Sequence, residues 1–270
     1  MDLDMIYLLL APVLLFFGVF FVLPMAKLFV LGGTGEMGWM AYVEVLTNTS
    51  YLESMLVTLL VAFATTVCTL IISGIAGVFL QRNHFPGRGI LTSMLTLPLA
   101  FPGVVVGFMI IMLAGRQGLI GQLTQELGAG KLVFAYSIFG LFLGYLYFSI
   151  PRTIVTVMAA AEKMDPKLEE AARSLGANQW RVVWDVIVPA LKPAFISSGA
   201  ICFATAVGAF GTAFTLATRI NVMPMVIYTE FTMSANIAMA AALSFFLGVV
   251  TWVVLAIARS AGGSTVAAAG

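Results

Sequence analysis

Residues 54–80 read SMLVTLLVAFATTVCTLIISGIAGVFL, a run of 27 residues without one acidic, basic or histidine side chain. As an α-helix such a run rises ~40 Å, more than the ~30 Å hydrocarbon core of a bilayer. In that core only helices and closed barrels satisfy their own backbone hydrogen bonds. A barrel strand alternates polar and apolar residues and this run does not, so it predicts a transmembrane helix. The rest of the chain agrees: of 270 residues 61% are hydrophobic and 9% charged, with a mean hydropathy of +1.07, which lies outside the soluble globular class.

Working outward from this run, apolar periodicity and turn residues predict six spans, at about 6–30, 54–80, 90–113, 132–158, 194–217 and 236–258. None of the connectors 31–53, 81–89, 114–131, 159–193 and 218–235 is long enough for a separate folded domain, so residues 1–270 are expected to form one all-α transmembrane domain. The N-terminus, MDLDMIYLLLAPVLLFF, has acidic residues where a cleaved signal would carry lysine or arginine, and no small-residue cleavage site close behind; the first span is expected to be retained. A net charge of +1 offers no basic face for nucleic acid. Cys68 and Cys202 sit inside apolar runs, where a thiol fills space.

Lysine and arginine concentrate on the cytoplasmic side of membrane helices. With the N-terminus inside, Arg82, Arg88, Arg152, Lys163, Lys167, Arg173, Arg181, Lys192 and Arg259 fall inside, against Lys27, Arg116, Lys131 and Arg219 outside. Nine against four predicts both termini cytoplasmic, and loop 31–53, with Glu36, Glu44 and Glu53 but no basic residue, agrees.

The longest loop on the inner side holds ten of the chain's 25 formal charges, between Glu162 and Lys192. Asp165 then Pro166 predicts a helix start, and Gly176 a left-handed stop. Between them Leu168, Ala171, Ala172 and Leu175 fall at i, i+3, i+4 and i+7, one apolar stripe. Asn178 is expected to cap a second short helix that Pro189 ends after Ile187. Such a helix is too short to stand alone. Its stripe suits either the membrane surface and its own neighbours, or a partner.

Glu170-Ala171-Ala172, three residues, Gly176, nine residues, then Val186-Ile187-Val188-Pro189 resembles the EAA loop of binding-protein-dependent ABC importer permeases, with Val186 and Val188 in place of that pattern's Ile and Leu. The stretch LTLPLAFPGVVVG, Leu95 to Gly107, looks like a spanning region of the same family. The resemblance implies a type I importer permease fold: six transmembrane helices and a coupling helix that docks in a groove of a cytoplasmic ATPase dimer. Leu168, Ala171, Ala172 and Leu175 would be the docking stripe, Glu169, Glu170, Lys167 and Arg173 charged contacts around it, Gly176 the angle-setting residue and Pro189 the point of re-entry. It further implies a second permease subunit, homologous or identical, a periplasmic or lipid-anchored solute-binding protein, a bacterial inner-membrane location, and no bond-making chemistry or cofactor in this chain.

Other motifs carry less. No Gly-x-x-x-x-Gly-Lys-Ser/Thr is present, so ATP hydrolysis is expected on another subunit. Gly33-Thr34-Gly35-Glu36-Met37-Gly38 fits a dinucleotide fingerprint literally but follows a membrane span rather than a strand, and predicts a turn. His84, the single histidine, lacks partners for a metal site, and no catalytic cluster sits at membrane depth. Small residues four apart (Ser73 and Gly77; Gly140 and Gly144; Ala200, Ala204 and Gly208) predict close helix packing within the subunit, with the lining of a translocation path or a subunit interface as the alternative. Pro98, Pro102 and Pro151 predict breaks or kinks. Glu230 is the candidate acid on a substrate path, weighed against an ordinary place in an outer loop. That carboxylate and the overall resemblance favour a polyamine such as spermidine or putrescine; phosphonate, sulfate or molybdate, and iron(III) are the alternatives within the class, and a secondary transporter outside it.

Overall fold

The computed structural model describes residues 3–216 and 220–261, and every regular element among them is helical. Arg219, counted above on the outer side, and Ala217, the last residue of a predicted span, lie outside the described residues. In chain order the helices are α1 (Leu3–Phe17), α2 (Leu23–Gly32), α3 (Met40–Thr47), α4 (Thr49–Arg82), α5 (Arg88–Thr96), α6 (Gly103–Ala114) and α7 (Leu119–Glu126). There follow α8 (Ile138–Glu162), α9 (Lys167–Ser174), α10 (Gln179–Arg181), α11 (Val188–Val207), α12 (Phe210–Leu216), α13 (Met223–Thr232) and α14 (Ile237–Ala261). Among the described residues six stretches are long and apolar enough to cross a membrane: Leu9–Gly32, Thr49–Arg82, Gly103–Glu126, Ile138–Glu162, Gln179–Val207 and Ile237–Ser260.

The predicted span 90–113 differs most. It is broken rather than kinked, one of the two outcomes Pro98 and Pro102 predict: α5 gives way to a 3-10 turn at Leu97–Ala100, and Phe101 (φ −91°, ψ 129°) and Pro102 (φ −63°, ψ 150°) are extended before α6 begins. Two prolines four residues apart account for the break. Pro98 starts the tight turn, and Pro102 drives Phe101 out of the helical region because its ring crowds the preceding residue. The stretch long and apolar enough to span therefore begins at Gly103 and runs to Glu126, past the predicted end. Connector 218–235 was expected to be a loop but contains α13.

Prolines also explain two π turns. Gly18–Val22 precedes Pro24, and Val182–Ile187 precedes Pro189. A proline in a helix lacks an N–H, and its ring collides with the carbonyl four residues back. Those carbonyls belong to Phe20 and Asp185, inside the π turns, where Leu23 N–H reaches Gly18 O and Val188 N–H reaches Val183 O, each five residues back. The widened turn makes room for the ring, so the helix continues.

Two compact units share the chain. One comprises residues up to Leu56 with Val222–Val250. In it α2, α3 and α14 meet around Phe29, whose ring lies 5.2 Å from Trp39, 5.4 Å from Tyr42 and 5.0 Å from Phe245. Tyr42 donates to Phe29 O at 2.7 Å, and burial raises its pKa, keeping the donor in place. The glycine-rich segment after α2 is a turn, as expected, with Gly38 at φ +54°.

The other unit comprises Val57–Asn221 and residues from Thr251 onward. Here the small residues bring helices close. Ser73 Oγ donates to Ile150 O at 3.2 Å, and a Cβ on Gly77 would lie 2.8 Å from Val157 Cγ1, so α4 and α8 touch along the predicted Ser73–Gly77 pair. Thr212 Oγ1 donates to Gly103 O at 3.0 Å, and its methyl sits 2.7 Å from where a Cβ on Gly144 would stand, joining α12 to α6 and α8. Gly140 and Gly208 do otherwise: Gly140 packs on its own N-terminal loop, and Gly208 follows the end of α11. Val157, Ala161 and Leu191 form a buried core between α8 and α11. Arg152, placed above with the cytoplasmic residues, lies instead near the middle of α8, because that helix continues ten residues beyond it to Glu162.

Candidate functional site

Between α8 and α11 the chain folds as its polar residues dictate. Asp165 Oδ1 accepts from Lys167 N–H at 3.0 Å, and Pro166 (φ −58°, ψ −25°) already has helical angles, so the first turn of α9 is capped and its missing donor costs nothing. Glu169 and Glu170 lie in the first turn and Arg173 in the last, each sign matching the helix dipole. The stop is Gly176 at φ +83°. Its N–H reaches Arg173 O at 2.9 Å and Ala177 N–H reaches Ala172 O at 3.0 Å, the paired bonds of a Schellman ending. A Cβ at Gly176 would meet nothing within 4 Å, so the backbone angle, not space, demands glycine. Asn178 Oδ1 then accepts from Arg181 N–H at 2.9 Å and starts the next helix, as expected.

That next helix does not stop at Pro189. Through the π turn it runs from Gln179 to Val207 as one apolar stretch, so Pro189 marks a widened turn rather than a re-entry break.

The predicted stripe is largely open. Leu175 is 90% exposed and Leu168 54%, Ala171 is exposed and Ala172 half-buried. Trp180 and Trp184, just beyond, are 73% and 63% exposed. An eight-residue helix cannot hold itself in water, so its anchors matter. One is a contact with the π turn 182–187; the other is an ion pair between Glu169 and Arg82, the last residue of α4. Glu169 is thus engaged within the chain, while Lys167, Glu170 and Arg173 stand exposed beside the stripe. Both partners of the pair are less than a third exposed, which puts it at the upper end of surface pairs, about 1 kcal/mol. Arg82→Glu is expected to loosen α9 and Arg82→Glu with Glu169→Arg to restore most of its order, checked by backbone hydrogen exchange over residues 167–174; equal losses in both would deny that the pair anchors the helix.

Glu230 lies half-buried on α13, where its Oε1 accepts from Tyr51 OH at 3.0 Å. It is a paired carboxylate rather than a free one. His84 Nδ1 lies 3.1 Å from Arg88 Nη1 at the surface. Among the described residues no three His, Cys, Asp or Glu side chains converge on a metal position. Cys68 and Cys202 are free thiols, the latter buried.

The family described as "Binding-protein-dependent transport system inner membrane component" matches residues 73–261. "Sulfate permease 2, chloroplastic" of Chlamydomonas reinhardtii is 34% identical over 174 residues, 64% of this chain but only 46% of that protein. "Sulfate transport system permease protein CysT" of Escherichia coli is 31% identical over 207 residues, 77% of this chain and 73% of its own. "Molybdenum transport system permease protein ModB" of Escherichia coli is 36% identical over 154 residues, 56% of this chain and 66% of its own. In fold the chain matches a chain of a bacterial alginate ABC transporter crystallised with an alginate-bound periplasmic protein, with a TM-score of 0.78 at 16% identity, covering 97% of this chain and 95% of that one. The family match spans well over half the chain and includes the capped α9 segment, so the chain belongs to the binding-protein-dependent transport system inner membrane components.

Proposed function

We propose that this chain is the permease subunit of an ATP-driven importer for a tetrahedral oxyanion, sulfate or molybdate, and that α9 is the element through which a separate ATPase drives it. The observation that carries the mechanism is α9 itself: a helix capped at both ends, strapped to α4 by Arg82–Glu169, yet presenting Leu168, Ala171 and Leu175 to solvent. Alanines allow close approach, and an ordered apolar stripe left open is the form of a docking surface. A dimeric ATPase gripping this loop, with both chain termini on the same cytosolic side, would close on ATP and tilt α8 and α11, alternating access between the two faces. A second permease subunit completes the pathway, and a periplasmic or lipid-anchored protein delivers the solute.

The polyamine expectation gives way. The relatives named above are sulfate and molybdenum permeases, and Glu230, the residue that favoured a polycation, is already held by Tyr51. The test is uptake of radiolabelled sulfate, molybdate and spermidine by cells that lack their own importers and express this chain with its ATPase and binding protein. Concentrative uptake of one or both anions that vanishes when the ATPase is omitted is the expected result. Spermidine uptake would reverse the choice of substrate, and uptake that persists without the ATPase would favour a secondary transporter.

A further inference from the structure

We propose that Arg152 and the hydroxyls around it form a binding step for the oxyanion inside the membrane-spanning part of the chain; this rests on the functional reading above and names a site for its substrate. α8 has 25 residues, and Arg152 lies two residues past its midpoint, about 3 Å along the axis. An arginine at the centre of a spanning helix costs about 2.5–3.5 kcal/mol against lipid, so such residues face a bundle interior or an aqueous path. Arg152 is exposed on this chain, so the surface it occupies is turned toward the path or the second subunit rather than toward lipid.

Its surroundings suit an anion. Beside it a cavity of about 20 Å³ is lined by Ser149, Thr153, Thr156, Ser198 and Thr205, with no carboxylate among the lining residues. Arg152 Nη1 lies 3.4 Å from Thr205 Oγ1, a loose contact that leaves the guanidinium fork available. Ser149 supplies the independent sign. Helical hydroxyls here donate to the carbonyl four residues back, as Thr156 does to Arg152 O (3.1 Å), Ser198 to Ala194 O (2.7 Å) and Thr205 to Ile201 O (2.7 Å). Ser149 is 4% exposed, lines the cavity, and its Oγ has no partner. A buried hydroxyl without a partner is costly and is found where something else completes it. The cavity holds about one water-sized atom. One oxygen of a tetrahedral oxyanion fills that space, donated to by Ser149, while two others take the two-pronged hydrogen bonds that a guanidinium gives and an ammonium does not.

The experiment uses the complete importer, with ATPase and binding protein, in cells without their own sulfate or molybdate uptake. Initial rates of radiolabelled sulfate and molybdate are measured for wild type, Arg152→Gln, Arg152→Lys and Ser149→Ala, with membrane abundance and co-purification of the ATPase recorded for each. One charge-assisted hydrogen-bonding partner lost corresponds to about tenfold, so Arg152→Gln is expected to lower the maximal rate by that factor. Its half-saturating concentration stays where the binding protein sets it, and its abundance and assembly match wild type. Arg152→Lys keeps the charge and recovers part of the rate; Ser149→Ala, which deletes one hydroxyl, changes the ratio of sulfate to molybdate transport. Wild-type rates and ratio in Arg152→Gln and Ser149→Ala overturn this site while leaving the functional reading intact, as does a loss in Arg152→Gln that merely parallels lost abundance. Should Arg152→Gln fail to insert, Ser149→Ala decides: an unchanged rate and an unchanged ratio overturn the site. Absence of uptake of either anion by the wild-type complex overturns the functional reading, and this site with it.

Discussion

Gly176→Val is expected to reduce ATP-driven uptake by about tenfold or more while the chain still inserts in the membrane. Gly176 sits at φ +83°, a region that costs an L residue about 1–2 kcal/mol, and more when the side chain is β-branched. Its surroundings are empty, so the effect is not a clash. Instead the substitution opposes the two bonds that close α9, Gly176 N–H to Arg173 O and Ala177 N–H to Ala172 O, in a helix of eight residues with no stability to spare. Loss of that ending misdirects the stripe that the ATPase is proposed to hold. Gly176→Asn is the control, because asparagine tolerates the left-handed region, and it is expected to keep most of the activity. A second variant separates angle from surface: Ala172→Arg leaves the backbone free to close but places a long charge in the stripe, and should uncouple equally. Uptake, membrane abundance and ATPase co-purification are the readouts, and normal uptake in Gly176→Val and Ala172→Arg would contradict the assigned role.

Gly77→Ala is expected to destabilise the folded chain by about 1–3 kcal/mol, the usual cost of overpacking, through the crossing of α4 and α8. The added methyl would stand 2.8 Å from Val157 Cγ1, 2.9 Å from Val157 Cβ and 3.2 Å from Ile154 O; the first two belong to a branched core side chain and the third is backbone, so none yields easily. Val157→Ala on its own leaves a void and costs stability as well. Alanine at 157 removes Cγ1 but keeps its Cβ, 2.9 Å from the added methyl, so Gly77→Ala with Val157→Ala relieves only part of the crowding and should be modestly more stable than the sum of the single losses, read as the melting temperature of detergent-purified protein. Strict additivity would mean the two residues do not share the contact.

Much of this architecture was legible because its causes are local. A charge-free run such as 54–80 has no alternative to crossing the bilayer as a helix, and α4 carries it from end to end. The caps of α9 were equally local: Asp165 and Pro166 at one end, Gly176 at the other, each acting within a few residues of itself. Three features escaped for physical reasons. Pro189 looked like a terminator because an α-helix cannot hold it, but a π turn can, and sequence does not state which remedy a chain takes. Arg82 and Glu169 are far apart in sequence, and their pairing follows from where α4 ends relative to α9. Arg152 was assigned to the cytoplasmic side by a count that treats every basic residue near a span as a loop residue. Its place within α8 follows from how far that helix extends beyond it, and an arginine inside the predicted span 132–158 is the available signal.

The most direct test of the central claim is cross-linking from residue 175, the most exposed point of the stripe. With Cys68→Ser and Cys202→Ala as background, Leu175→Cys is introduced and the assembled importer is treated with a short bifunctional thiol reagent in intact and in permeabilised cells. The account predicts a product containing this chain and the ATPase subunit, and labelling by a membrane-impermeant thiol reagent only after permeabilisation. Labelling in intact cells, or no adduct with the ATPase in an importer that is transporting normally, would contradict it.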